Sequence, residues 1–356
     1  MMRAQKKKRG VLKRVLFFVL VVGLLIFSAM KPVFLMKEVV VKKGDTMSRF
    51  YQELPWFDQI FVKAYQKVSG VTMKSLQPGL YQFSGLYSKV AFFNAINQGP
   101  QKSYQRFTVL EGWSIYDVQK SLSDKKFADT DEYLKFVTDE KIIQKYSDRF
   151  EFLALASAEK KLSSLEGFLY PDTYNIDVSQ DFVDQLVYLQ LSSFDTKIWQ
   201  PFSSQINYFS RYLQERGYTV DLDFYQLLTL ASVIEKEERN KTNKPVIASV
   251  FLNRLKQNMR LDADITLCYG LQKPYEVCTP AFIAEGIYDE KNPYNTRQQS
   301  GLPPTPISSV SEQTFSALMN FESSDYFYYL HDSKGQIYFG KTYEDHNLNK
   351  SKYLNN

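Results

Sequence analysis

Residues 230–240 read LASVIEKEERN. An apolar stretch ends there on Glu235, Glu237 and Glu238. Laid on a helix at about 100° per residue, residues 223–238 put Phe224, Leu227, Leu228, Ala231 and Ile234 on one face. Glu235 falls inside that stripe. Glu238 sits near its edge, and Glu237 points the other way. One carboxyl is therefore directed at the core, where an apolar setting disfavours its ionised form and keeps a proton available for a leaving oxygen. An ion pair with Arg254 or Lys236 at the last helical turn explains the same pattern, and periodicity alone leaves both readings open. Glu237 and Glu238, beside Lys236 and Arg239, read as a solvated helix end.

Working outward, Asp223 is the expected N-cap of this helix, and a second helix is expected from Pro245 through PVIASVFLNRLKQNM. RLDADITLCYGL reads as an irregular connector. NPYNTRQQSGLPPTPISS is a long Pro/Gly loop, and SEQTFSALMNF a short helix. The C-terminal stretch reads as a hairpin turning at Lys334-Gly335, followed by a closing helix. Upstream, YQRFTVLEGWSIYDVQKSL is strand, turn and helix with Ser114 as N-cap, and a charged helical region follows. LEGFLYPDTYNI, residues 165–176, is either the wall of a binding site or a core strand ending in a Pro-Asp turn.

The chain has 356 residues, 44% hydrophobic and 23% charged, which is globular composition. Its net charge is +5. Arg3, Lys6, Lys7, Lys8, Arg9, Lys13 and Arg14 exceed that sum, so the remainder is near neutral, which argues against a nucleic-acid partner. After them, VLFFVLVVGLLIFSAM carries no charge. It spans roughly 24 Å as a helix, and apolar neighbours on both sides extend it. With a basic tail over residues 1–14, a membrane anchor is expected over 15–36, the N-terminus in the cytoplasm and the rest outside. A cleaved signal peptide is the rival, although FSAMK is a poor cleavage site.

KEVVVKKGDTMSRFYQEL then reads as strand, turn at Gly44-Asp45 and helix, capped by Thr46 or Asp45. LQPGLYQF is a turn and a strand. The KKGDT opening resembles a LysM module over residues 37–104, a fold that grips N-acetylglucosamine polymers; a membrane-proximal spacer of the same topology fits equally. Cys268 and Cys278 stand on the exported side, where a disulfide and two free thiols both remain open. Two thiols without a nearby histidine do not make a zinc site.

Five segments in order, LEGFLYPDTY, LASVIEKEE, IASVFLNRLKQNMRLDADITLCYGL, YNTRQQSGLPPTPIS and KTYEDHN, resemble the endolytic murein transglycosylase (YceG-like) family, from about Lys37 to Leu354. The resemblance implies a single-pass protein of the cytoplasmic membrane, with an N-terminal transmembrane helix, a small LysM-like subdomain and a larger mixed α+β catalytic domain over 105–356. It also implies cleavage of the β-1,4 bond after N-acetylmuramic acid in peptidoglycan strands, with closure of a 1,6-anhydro ring. Glu235 matches the family's catalytic glutamate. Glu166, Tyr170, Asp172, Asn253, Arg254, Asp264, Thr266, Tyr269, Asn295, Gly301, Leu302 and Pro303 match its substrate cleft. Peptidoglycan synthases are the implied protein partners. No metal or cofactor is called for, because proton transfer and an internal hydroxyl suffice. The chain departs from the family at Ile265, Cys268, residues 297–299 and Thr305.

Two alternatives stand beside this. A muramidase-type hydrolase would need a second carboxylate, for which Asp264 and Glu166 are candidates. A non-catalytic wall-binding scaffold would work through the LysM-like part.

Overall fold

The structure is a computed structural model. It describes residues 13–20, 22–23, 33–41, 79–87, 94, 98–99, 104–127, 131–177 and 181–354. The chain divides into two compact units, residues 1–105 with 176–182, and residues 106–175 with 183–356.

In the first unit, β1 (Val33–Val41) pairs antiparallel with β2 (Gly79–Tyr87), from Val33 opposite Tyr87 to Val41 opposite Gly79. Val41 and Tyr81 are buried. Val33 to Met36, assigned by apolarity to the end of an anchor, lie in β1 instead. β-branched and aromatic residues at this density suit an extended strand as well as a helix, and the partner strand decides. Residues 13–20 are helical, with Val15, Leu16, Phe17, Phe18, Val19 and Leu20 exposed. Among the described residues no helix is long and apolar enough to cross a membrane. The expected turn at Gly44-Asp45 and the helix after it lie outside the described residues.

The second unit is mixed α+β. It opens at Arg106, within β3 (Tyr104–Thr108), which forms a two-stranded sheet with β4 (Thr173–Asp177). Between them run α1 (Ile115–Asp124), α2 (Glu132–Thr138), α3 (Glu140–Ser147) and α4 (Glu151–Glu159). Ser114 caps α1 in a capping box with Asp117, as the sequence predicts. α5 (Phe182–Phe194), a π-helical turn (Asp195–Trp199) and α6 (Gln200–Glu215) follow.

The centre is α7 (Phe224–Glu237), capped by Asp223 with Gln226 closing the box. It packs against α4, α8 (Lys244–Lys256), α9 (Asp264–Gly270) and α11 (Glu312–Met319). Every residue from Leu227 to Glu235 is buried. The expected one-sided stripe is therefore wider than the periodicity implied: a helix surrounded by other helices buries every face. Two elements appear where none was expected. α9 replaces the irregular connector, because Asp264 leads a turn closed by the Thr266 hydroxyl on the Ala263 carbonyl, at 2.7 Å. α10 (Pro280–Gly286) starts on the Thr279 cap. The chain ends with the antiparallel hairpin β5 (Tyr328–His331) and β6 (Ile337–Gly340), then α12 (Tyr343–Tyr353). Gly335 supplies the left-handed backbone of the hairpin turn, φ 76°.

Candidate active site

Three helix ends converge on Glu235. It lies in the last turn of α7; Lys244 is the first residue of α8; Ser311 is the N-cap of α11. Glu235 Oε1 accepts from Lys244 Nζ at 2.8 Å. Oε2 accepts from the Ser311 N–H at 2.8 Å and the Ser311 hydroxyl at 2.7 Å. Lys244 also donates to the Thr314 hydroxyl. The side chains of Glu235 and Lys244 are only 3% and 2% exposed. The carboxyl thus does not sit among apolar groups alone. Its partner is Lys244, neither of the two cations the sequence offered, Arg254 and Lys236. A buried cation against a buried acid satisfies both, and the N-terminal end of α11 adds the favourable side of its dipole.

Local chemistry explains how Ser311 arrives there. The segment 307–311 runs beside α7, with the Ile307 N–H on Ser232 Oγ at 3.0 Å and Ser308 Oγ on the Ser232 carbonyl at 3.1 Å. Ser309 N–H then donates to the Trp113 carbonyl at 2.7 Å. That bond fixes the 110–113 turn, in which Gly112 has φ 74° and a Cβ would stand 3.6 Å from Glu235 Cγ. Gly167 serves the opposite packing. At φ 87°, a Cβ there would come within 2.6 Å of Pro306, so only glycine lets the 165–169 loop lie on the proline loop.

Glu235 and Lys244 open onto a cleft of about 880 Å³, which Leu110, Gly112, Trp113, Asp117, Lys236 and Tyr275 also line. Four further carboxylates reach it: Glu111, Asp117, Asp124 and Glu276. Asp117 holds Ser114 and the Tyr275 N–H, while Lys120 faces both Asp124 and Glu276.

None of the twelve substrate-binding residues expected from the resemblance lines this cleft. Glu166 is buried and takes the Ile115 N–H at 2.8 Å, at the start of α1. Burial pushes its carboxyl up to about 8, against the bonds from Ile115 and Gly167. Tyr170 is buried. Asp172 is exposed and takes the Thr173 N–H at 2.6 Å. Asn253 donates to the Ser324 and Tyr326 carbonyls, and Arg254 to those of Phe327, Arg260 and Leu261. Asp264 pairs with Arg297; Thr266 meets Thr296. Tyr269 packs between Tyr116 and Tyr294, at centroid distances of 5.4 and 5.0 Å. Asn295 donates to three carbonyls, of Gly286, Ile287 and Asp289. Gly301, Leu302 and Pro303 line a separate cleft of about 410 Å³ with Asp221, Asp223 and Tyr225.

The expected solvated end of α7 is not solvated. Glu238 is buried against His331 Nε2 at 3.2 Å, with the Asn240 N–H and the Asn243 amide also on its carboxylate. Glu237 takes the Tyr329 hydroxyl at 2.8 Å. The hairpin, distant in sequence, folds over this helix end and covers it. Lys244, Ser311, Gly112 and Trp113 escaped the sequence reading. For Ser311 a signal was there, since an N-cap serine starts the short helix predicted at SEQTFSALMNF.

Cys268 and Cys278 form a disulfide, with Cα atoms 5.8 Å apart. Among the described residues no cluster of three or more His, Cys, Asp or Glu is placed to hold a metal ion.

A family model described as the YceG-like family matches residues 39–352. An endolytic murein transglycosylase of Bacillus subtilis is 26% identical over 301 residues, 83% of this chain and 76% of the relative. An endolytic murein transglycosylase of Streptococcus pneumoniae serotype 2 is 27% identical over 309 residues, 82% of this chain. The matched region spans only 53% of the pneumococcal relative. Among solved structures, a putative yceG-like protein of Listeria monocytogenes superposes with a TM-score of 0.58 at 24% identity. That alignment covers 90% of this chain and 99% of the other.

Proposed function

Since the chain belongs to the YceG-like family, we propose that it is a peptidoglycan lytic transglycosylase and that Glu235 is its single acid and base. The observation that carries this is a glutamate buried in a helix end yet opening, with Lys244, onto a cleft of about 880 Å³. Glu235, acting as the acid, gives a proton to the glycosidic oxygen after N-acetylmuramic acid, and the C1–O4 bond breaks. The resulting carboxylate takes the proton of the C6 hydroxyl as that oxygen bonds to C1. The 1,6-anhydro ring closes, and the proton is back on Glu235. No water is consumed, so one carboxyl suffices where a hydrolase needs two.

The competing hydrolase rests on Asp264 or Glu166 as the second carboxylate, and neither lines the cleft; Glu111, Asp117, Asp124 and Glu276 do, so the product decides between the two reactions. Digestion of purified glycan strands by wild type beside Glu235→Gln, read by mass spectrometry, tests the proposal. Anhydro-muramic ends made by wild type alone are expected. Reducing muramic ends would replace the transglycosylase by a hydrolase, and equal activity in the variant would remove Glu235 from the chemistry. A wall-binding scaffold would leave both samples uncut.

The proposal includes an N-terminal membrane anchor, which seven cations before an uncharged apolar run support. Anchoring restricts the cleft to glycan near the bilayer, where nascent strands and peptidoglycan synthases are the proposed substrate and partners.

A further inference from the structure

The Glu235 cleft has a wall that the acid chemistry does not require. Cys268 lies in α9, and Cys278 follows the short 3-10 turn Tyr275–Val277. Their disulfide closes a loop with a sequence separation of 10, and the far end of that loop, Pro274 to Glu276, lines the cleft. The loop's own hydrogen bonds are local turns: Leu271 N–H to the Cys268 carbonyl, Val277 to Pro274, Cys278 to Tyr275. Contacts with cleft residues supplement the disulfide. Tyr275 N–H donates to Asp117 Oδ1 at 2.7 Å, and Lys236 Nζ stands 3.9 Å from the Tyr275 ring centroid. Lys120 faces Glu276 at 3.5 Å. Tyr275 is nevertheless 45% exposed. An aromatic ring fixed by its backbone and by a cation, yet open to the cleft, is poised to stack. The axial C–H bonds of a pyranose present partial positive charge to the negative face of such a ring.

We propose that Tyr275 is a saccharide-stacking wall of the Glu235 cleft, and that the Cys268–Cys278 disulfide is its positioning element. The proposal rests on the reading of this cleft as the glycan site. A short covalent loop restricts the conformations open to residues 269–277. Without it, the turn holding Tyr275 depends on its local backbone bonds, on the bond to Asp117 and on the contacts with Lys236 and Lys120, which are individually weak.

The test uses the full chain carrying Glu235→Gln, so that glycan is bound without turnover. Uncrosslinked peptidoglycan glycan strands are titrated by calorimetry into this parent, into Tyr275→Ala, into Cys268→Ser/Cys278→Ser, and into the combination. Tyr275→Ala should weaken binding about tenfold, the scale of one lost stacking contact. The cysteine pair should weaken it comparably, and adding Tyr275→Ala to the pair should change little more. Hydrogen exchange across residues 271–279 should quicken in the cysteine variant while α7 is unchanged. Parent affinity in Tyr275→Ala overturns the stacking wall, whatever the folding of the cysteine variant. Parent affinity in a folded cysteine variant overturns the disulfide's role. A parent that keeps the wild-type circular dichroism spectrum yet binds no glycan overturns the glycan reading itself, and this proposal with it.

Discussion

Glu235 shows how a residue's neighbours, rather than its helix phase, define its chemistry. Its carboxyl is held by an ammonium on one oxygen and by a helix N-cap on the other. Such a pair fixes the direction of the carboxyl more firmly than an apolar pocket would, because each partner is directional. It also makes the two side chains interdependent. Lys244→Met leaves a buried carboxylate without its cation and should destabilise the protein by about 3–5 kcal/mol. Glu235→Gln/Lys244→Met removes both charges and should recover much of that loss. A thermodynamic cycle by urea denaturation checks this, and additive losses would show that the two groups do not interact. The helix count from the sequence found Glu235. It could not find Lys244, which lies beyond the turn after α7, or Ser311, 76 residues on.

At the scale of elements, local signals were legible and long-range ones were not. Ser114 and Asp223 each cap the helix that follows them, as expected, because a side-chain acceptor two or three residues before an orphan N–H is a local arrangement; Ser311 does the same and was passed over. α9 and α10 were missed, since helices of 7 residues are too short to show a helical period. Glu166 belongs to this scale, because it joins the 165–169 loop to the first N–H of α1. Its folded carboxyl titrates near 8 against an ordinary 4.5, with burial as the main cause. The folded protein therefore holds this proton where the unfolded chain has released it. Stability linked to Glu166 is complete below about 4.5 and is lost as pH rises towards about 8, by at most about 1.4 kcal/mol per pH unit. Glutamine cannot ionise. The melting temperature of Glu166→Gln relative to wild type should therefore climb between pH 5 and 8 and level off above. Parallel curves across that range would mean that the buried carboxyl is already ionised at pH 5.

At the scale of the whole molecule, the chain falls into two units, and the entire Glu235 cleft is built from the second. The first unit carries the basic tail and the exposed apolar helix of residues 13–20. If these anchor the protein, the full chain should sediment with membranes and resist extraction by high salt, while deletion of residues 1–32 should release it. Full-length protein in the soluble fraction would overturn the anchor. The sequence by itself determined the α+β class of the second unit, the capped helix bearing Glu235 and the family, because periodicity, caps and ordered motifs act over a few residues. Tertiary structure alone decided that Lys244 and Ser311 are the partners of Glu235 and that the hairpin buries Glu238. It also decided that Asn253, Arg254 and Asn295 bond to backbone carbonyls, and that Cys268 and Cys278 meet beside the cleft. Each of these joins groups whose separation in the chain carries no periodic signal, and what selects them is the need to satisfy every polar group that packing removes from water.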